Sequence, residues 1–247
     1  MAAFTWFHRL ASPPHVYRLA GLFAPWFAGL AAACIAAGLY GGLWLAPPDY
    51  QQGDSFRIIY IHVPSAWLSM SAYSLVAVAS AMGYWWRMKL AHTVAAAAAP
   101  LGASFTFLAL VTGSLWGKPT WGTFWVWDAR LTSQLILLFL YFGFMALGRA
   151  FEDRRTGDRA ASVLAMVGIV NLPIIHYSVV WWNTLHQGST VFVGRGSDIA
   201  PSMLIPLLIM IAGFTSYFGA CLLKRIQVEL LERERGAAWI TELVKQT

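Results

Sequence analysis

Charge is what this sequence has least of. Asp, Glu, Lys and Arg make up 11% of its 247 residues, against about 25% in an ordinary soluble domain, so the chain lacks the surface with which a soluble protein meets water. Cysteine is nearly absent. Cys34 and Cys221 form no CxxC or CxxCH pattern, which argues against thiol redox chemistry and thiolate metal ligation by this chain alone and leaves both as small packing residues. No G-x-x-x-x-G-K-[ST] segment is present, so nothing in the chain is built to bind nucleotide. The start, with Arg9 and Arg18 and no small-residue cleavage site after a short apolar core, does not read as a removable signal.

Apolar residues take the place of charge. They account for 58% of the chain, and uncharged runs at 22–46, 64–86, 93–115, 131–148, 160–182 and 200–223 each approach or exceed the length a spanning helix needs, about 20 residues. The expected fold class is an all-α polytopic membrane protein with six transmembrane helices in a single membrane domain. The few charges are unevenly placed. Of the 17 Lys and Arg, 13 flank one set of connections and the two termini, while Arg57, Lys118, Arg130 and Arg195 fall on the other side. The positive-inside rule then puts both termini and the tail 224–247 in the cytoplasm, with connections 47–63, 116–130 and 183–199 facing outward. The net charge of +6 thus reports topology and not nucleic-acid binding. Residues 1–21 suit a segment lying along the cytoplasmic surface. The charged stretches 152–159 and 228–234 read as a solvated turn and a solvated extension of the last helix.

The outward connection 116–130, WGKPTWGTFWVWDAR, holds Trp116, Trp121, Trp125 and Trp127 among Gly117, Pro119 and Gly122, and closes on Asp128. The glycines and proline argue against a plain helix and for a shaped aromatic wall, which suits a large, flat, apolar ligand. Two histidines share that face. His62 precedes Pro64 at the mouth of the second run, and His186 follows the fifth. Imidazole is a common axial ligand of haem iron, and Arg57 and Arg130 stand near enough in sequence to meet the propionates. Each feature also has an ordinary reading: Trp at a membrane boundary forms aromatic belts, Asp128 is a plausible N-cap for the fourth helix, Arg57 suits solvent, and an interfacial histidine needs no ligand. His8, His15 and His92 fall on the cytoplasmic side, and His176 lies inside the fifth run. On residues alone, haem and other planar ligands stay open.

The segments WGKPTWGTFWVWD, IIYIHVPSAW and NLPIIHYSVVWWNTLHQGST resemble the tryptophan-rich (WWD) haem-handling proteins of bacterial cytochrome c maturation, and within them the CcmC-like branch. The likeness extends from Tyr17 to Lys224 with no departure in the signature or its flanking histidines. It implies a protein of the bacterial inner membrane that holds haem b at the periplasmic face through His62 and His186. Trp116, Trp121, Trp125, Trp127 and Asp128 line the site, and haem passes to the chaperone CcmE. It further implies work beside CcmD and the ATP-driven transporter pair CcmA and CcmB, and a delivery role without stand-alone enzyme activity. Three other readings are weighed against it. A membrane cytochrome b would bury its ligands within helices, a lyase-type relative would be much larger, and a haem permease would line its spans with polar groups.

Overall fold

The computed structural model of the chain describes residues 12–186 and 199–245. His8, Arg9 and Arg195 lie outside these, as does most of the third outward connection. Among the described residues ten helical stretches follow one another, of which the eight α-helices are labelled here. Helix α1 (Pro13–Tyr40) tightens into a π-helical turn (Gly41–Leu45), and a 3-10 turn (Asp54–Ile58) leads into α2 (Ile59–Trp86). Then come α3 (Lys89–Trp121), α4 (Ala129–Arg149), α5 (Arg154–Gly168), α6 (Asn171–Trp181), α7 (Pro201–Arg233) and α8 (Ala238–Lys245). Six segments of the described residues are long and apolar enough to cross a membrane, with α5 and α6 together forming the fifth. Among the described residues there is no strand. The protein is an all-α, multi-pass membrane protein.

The fifth apolar run is therefore not one unbroken helix. Pro173 has no N–H to offer the carbonyl of Ile169, and its ring crowds that carbonyl, so the ladder breaks where α5 gives way to α6. Asn171 secures the break by donating its side-chain amide to the Ser133 carbonyl of α4 at 2.9 Å. Similar polar bonds cross the bundle elsewhere. Gln134 Nε2 donates to Ser69 Oγ at 2.9 Å, and the Tyr141 hydroxyl donates to the Ser69 carbonyl at 2.7 Å. Helices in lipid gain little from burying apolar surface, so close approach and interhelical hydrogen bonds carry the packing. Ala97, Ala98 and Ala99 are fully buried, and Gly102 faces the Tyr141 hydroxyl so closely that no side chain fits there. Helix α1 lies mainly against α7, and α2 against α3.

Three expectations at the basic end need correction. The segment before residue 22 is already helical from Pro13, and Tyr17 accepts a hydrogen bond from Gln227 Nε2 at 2.9 Å, so it docks on α7. The stretch 152–159 is largely exposed, as expected, but from Arg154 it is helix and not a turn: Asp153 caps α5, and Asp158 is held by Arg233 at 2.8 Å. The stretch 228–234 is not simply solvated, because Glu229 pairs with Arg154 at 3.0 Å and with Arg233 at 3.2 Å. Sequence charge alone could not distinguish these from solvent-facing groups, since their partners lie 75 residues away. Arg233 sits between two carboxylates whose side chains are 16% and 10% exposed. Arg233→Ala should leave both without their shared cation and lower the thermal stability of the purified protein, by on the order of 3 kcal/mol. An unchanged melting temperature would show the cluster to be ornamental.

Candidate functional site

The end of the bundle that carries the tryptophans is organised by the last turns of α3. The expected loop 116–130 is only half a loop, because α3 runs to Trp121 and the irregular part starts at Gly122, whose φ of 78° closes the helix. Pro119 is tolerated because its missing N–H interrupts one bond just two residues before the helix ends. Gly117 serves close approach and does not break the helix: a Cβ there would stand 2.9 Å from the Trp121 ring and 3.2 Å from the Thr123 carbonyl. Trp116 and Trp121 therefore project from a rigid helix, while Trp125 and Trp127 belong to the segment that folds back.

Helix α2 likewise starts earlier than Pro64 implies. It begins at Ile59, so His62 sits within its first turn and Pro64 well inside it. His62 Nδ1 lies 3.0 Å from Thr112 Oγ1 of α3. The edge of Trp116 meets the His62 ring, with centroids 5.7 Å apart and planes at 77°. Trp116 is itself fixed by donating its indole N–H to Gln52 at 2.7 Å and by an edge contact with Phe56. Gly113 leaves room for the imidazole, since a Cβ there would stand 3.0 Å from His62 Cε1.

His186 lies beyond α6, against Trp121, with ring centroids 4.6 Å apart. Its Nδ1 is 3.1 Å from Asp128 Oδ2, and both side chains are nearly enclosed. Asp128 does two things at once. Oδ1 accepts the Leu131 N–H at 2.8 Å and caps α4, as its position suggested, while Oδ2 accepts from the Thr184 hydroxyl and from His186. Burial pushes the His186 imidazole below its ordinary pKa, the Arg130 cation adds to this, and Asp128 pulls the other way. Burial would raise Asp128, but the hydrogen bonds from Thr184, Leu131 and His186 hold its carboxyl below the usual range. A neutral imidazole facing a carboxylate must carry its proton on Nδ1, which leaves Nε2 with its lone pair.

Arg130 is half-buried, lies within electrostatic reach of both histidines and makes no hydrogen bond among the described residues. Arg57 stands apart from them, donating to Asp54 at 2.9 Å and to the Gly42 carbonyl at 2.6 Å. Trp125 packs against the main core cluster, and its buried N–H has no acceptor among the described residues. Trp127 crosses it edge to face at 5.4 Å and is 77% exposed. The four tryptophans are thus not one wall. Two brace histidines, one is anchored in the core and one faces outward. His176 joins none of this: it lies on the exposed side of α6, with its ring against Tyr177. His92 is at the opposite end, against Gly83 and Ser162. Gln52, Thr112, Gly113 and Thr184 were not singled out from sequence. Thr112, Gly113 and Trp116 do fall on one helical face, but nothing local says what that face meets.

Two imidazoles with Nδ1 engaged and a half-buried cation that makes no hydrogen bond among the described residues form a donor set that fits a haem with propionates. The chain matches the family model described as heme exporter protein C over residues 6–241. It is 53% identical over 237 residues to heme exporter protein C of Escherichia coli strain K12, covering 96% of each chain. It is 48% identical to the Haemophilus influenzae protein of the same name, over 97% of this chain and 98% of that one. A putative cytochrome c biosynthesis ccmC-like mitochondrial protein of Marchantia polymorpha is 46% identical over 72% of this chain and 75% of its own.

Proposed function

The chain belongs to the heme exporter protein C family, and from that membership we propose that it holds haem b between His62 and His186 and delivers it to the haem chaperone CcmE. As a family member it is a membrane transport component of haem handling for cytochrome c maturation and not an enzyme. The observation that carries the finer reading is the pair of histidines braced by Trp116 and Trp121 at one end of α3. His62 and His186 would supply the axial nitrogens, and Arg130 would face the propionates. Trp127, already exposed, would meet the edge of the porphyrin or the arriving chaperone. Haem supplies the iron and its exchangeable axial positions; the chain holds, orients and presents it. The 13-to-4 division of basic residues supports this end facing away from the cytoplasm, and family membership supports the bacterial inner membrane setting that makes that side the periplasm. CcmD and the transporter subunits CcmA and CcmB complete the proposed assembly.

A holding site at one membrane face, in a chain with no nucleotide motif, points to loading without pumping. In cells whose CcmA cannot hydrolyse ATP, haem should still reach this protein and CcmE, and a complex of haem, chaperone and this chain should accumulate. Co-purification on tagged CcmE, followed by an absorption spectrum, reads the result. Haem arriving only when ATP is hydrolysed would reverse the reading in favour of a permease.

A further inference from the structure

We propose that Thr112 is a positioning residue that holds His62 in the tautomer that leaves Nε2 free to bind iron. The inference rests on the reading of His62 as an axial ligand and adds the group that makes it one. The Thr112 hydroxyl has a single proton, and its oxygen lies 2.7 Å from the Leu108 carbonyl one turn back in α3. A carbonyl can only accept, so the proton is directed there, and the same oxygen can meet His62 Nδ1 at 3.0 Å only by accepting from it. Nδ1 therefore carries the imidazole proton, and Nε2 is left with the lone pair. Metal-bound histidines ordinarily need such an outer acceptor, and its loss costs about 10–100-fold in affinity.

The arrangement is built into the helix. Thr112 and Trp116 are one turn apart on α3, so the residue that orients His62 and the ring that braces it share a face, and Gly113 between them opens the space the imidazole fills. Thr112 is 7% exposed, which keeps water from competing for the Nδ1 proton. The two histidines are consequently held in unlike ways. His186 faces the ionised carboxylate of Asp128 on an irregular segment, whereas His62 faces a neutral hydroxyl, with the Ala109 carbonyl beside it, between two helices. His62 gains orientation from its partner without the added electron density that a carboxylate confers.

The test uses the full chain, purified and titrated with haem b, as wild type and as Thr112→Val, Thr112→Ala, Thr112→Ser and His62→Ala. Valine keeps the shape of threonine without the acceptor, and alanine removes the acceptor without adding bulk. Both should weaken haem retention by about 10–100-fold and convert part of the remaining low-spin spectrum to high spin, in the direction of His62→Ala. Serine should restore the wild-type spectrum. Equal spectra for wild type and Thr112→Val overturn the proposal. So does a change seen with valine but not alanine, which would be steric, or a failure of serine to rescue. If His62→Ala itself leaves the spectrum unaltered, the ligand assignment falls and the role of Thr112 with it. A wild-type protein that takes up no haem b overturns the proposed function instead.

Discussion

His62→Ala and His186→Ala should each abolish the low-spin bis-imidazole spectrum of bound haem and reduce its retention by more than roughly 100-fold, the upper end of what losing an outer hydrogen bond costs. Each histidine is held by a different partner, Thr112 in one case and Asp128 in the other, so neither can swing across to replace its neighbour. The chain should still insert and accumulate, because neither imidazole belongs to the interhelical bonds around Ser69 and Asn171. His176→Ala and His92→Ala are the controls. The first removes an exposed ring packed against Tyr177, and the second acts at the opposite end of the bundle. Absorption spectra of the purified variants decide the matter. Haem lost from His176→Ala and kept in the other two would move the site into the membrane and refute the assignment.

Asp128→Asn should nearly match the histidine variants in effect while leaving the helices intact. Aspartate offers one oxygen to the Leu131 N–H and the other to Thr184 and His186. Asparagine has a single acceptor oxygen, so it can serve the cap or the histidine but not both. With its amide group toward His186, Nδ1 must become the acceptor and Nε2 takes the proton, which disables the ligand. Haem retention should fall by about 10–100-fold. Asp128→Ala should lose the cap as well, adding a destabilisation of about 1 kcal/mol. Measuring haem content and thermal stability on both variants separates the two roles. Wild-type haem retention in Asp128→Asn would rule out the carboxylate as the support of His186.

The six spans were legible in the sequence because the bilayer is a local constraint. Each stretch of about 20 apolar residues meets it alone, whatever the rest of the chain does. The same holds for the tryptophan-rich signature, the N-cap at Asp128 and the two histidines beside it, all of which are matters of residue type and spacing. Tertiary structure decided what those residues do to one another. Pro119 and Gly117 looked like breakers, yet α3 carries through them to Trp121, since the helix is about to end and a folded-back segment covers the glycine. The four tryptophans looked equivalent, but two brace histidines, one enters the core and one stays exposed. His62 found its acceptor 50 residues away and His186 found its own 58 residues away. Glu229 and Asp158 met their arginines in the same manner across the basic end. Hydrogen bonds and ion pairs act over about 3 Å, and only the packing of the helices brings such distant residues within that reach.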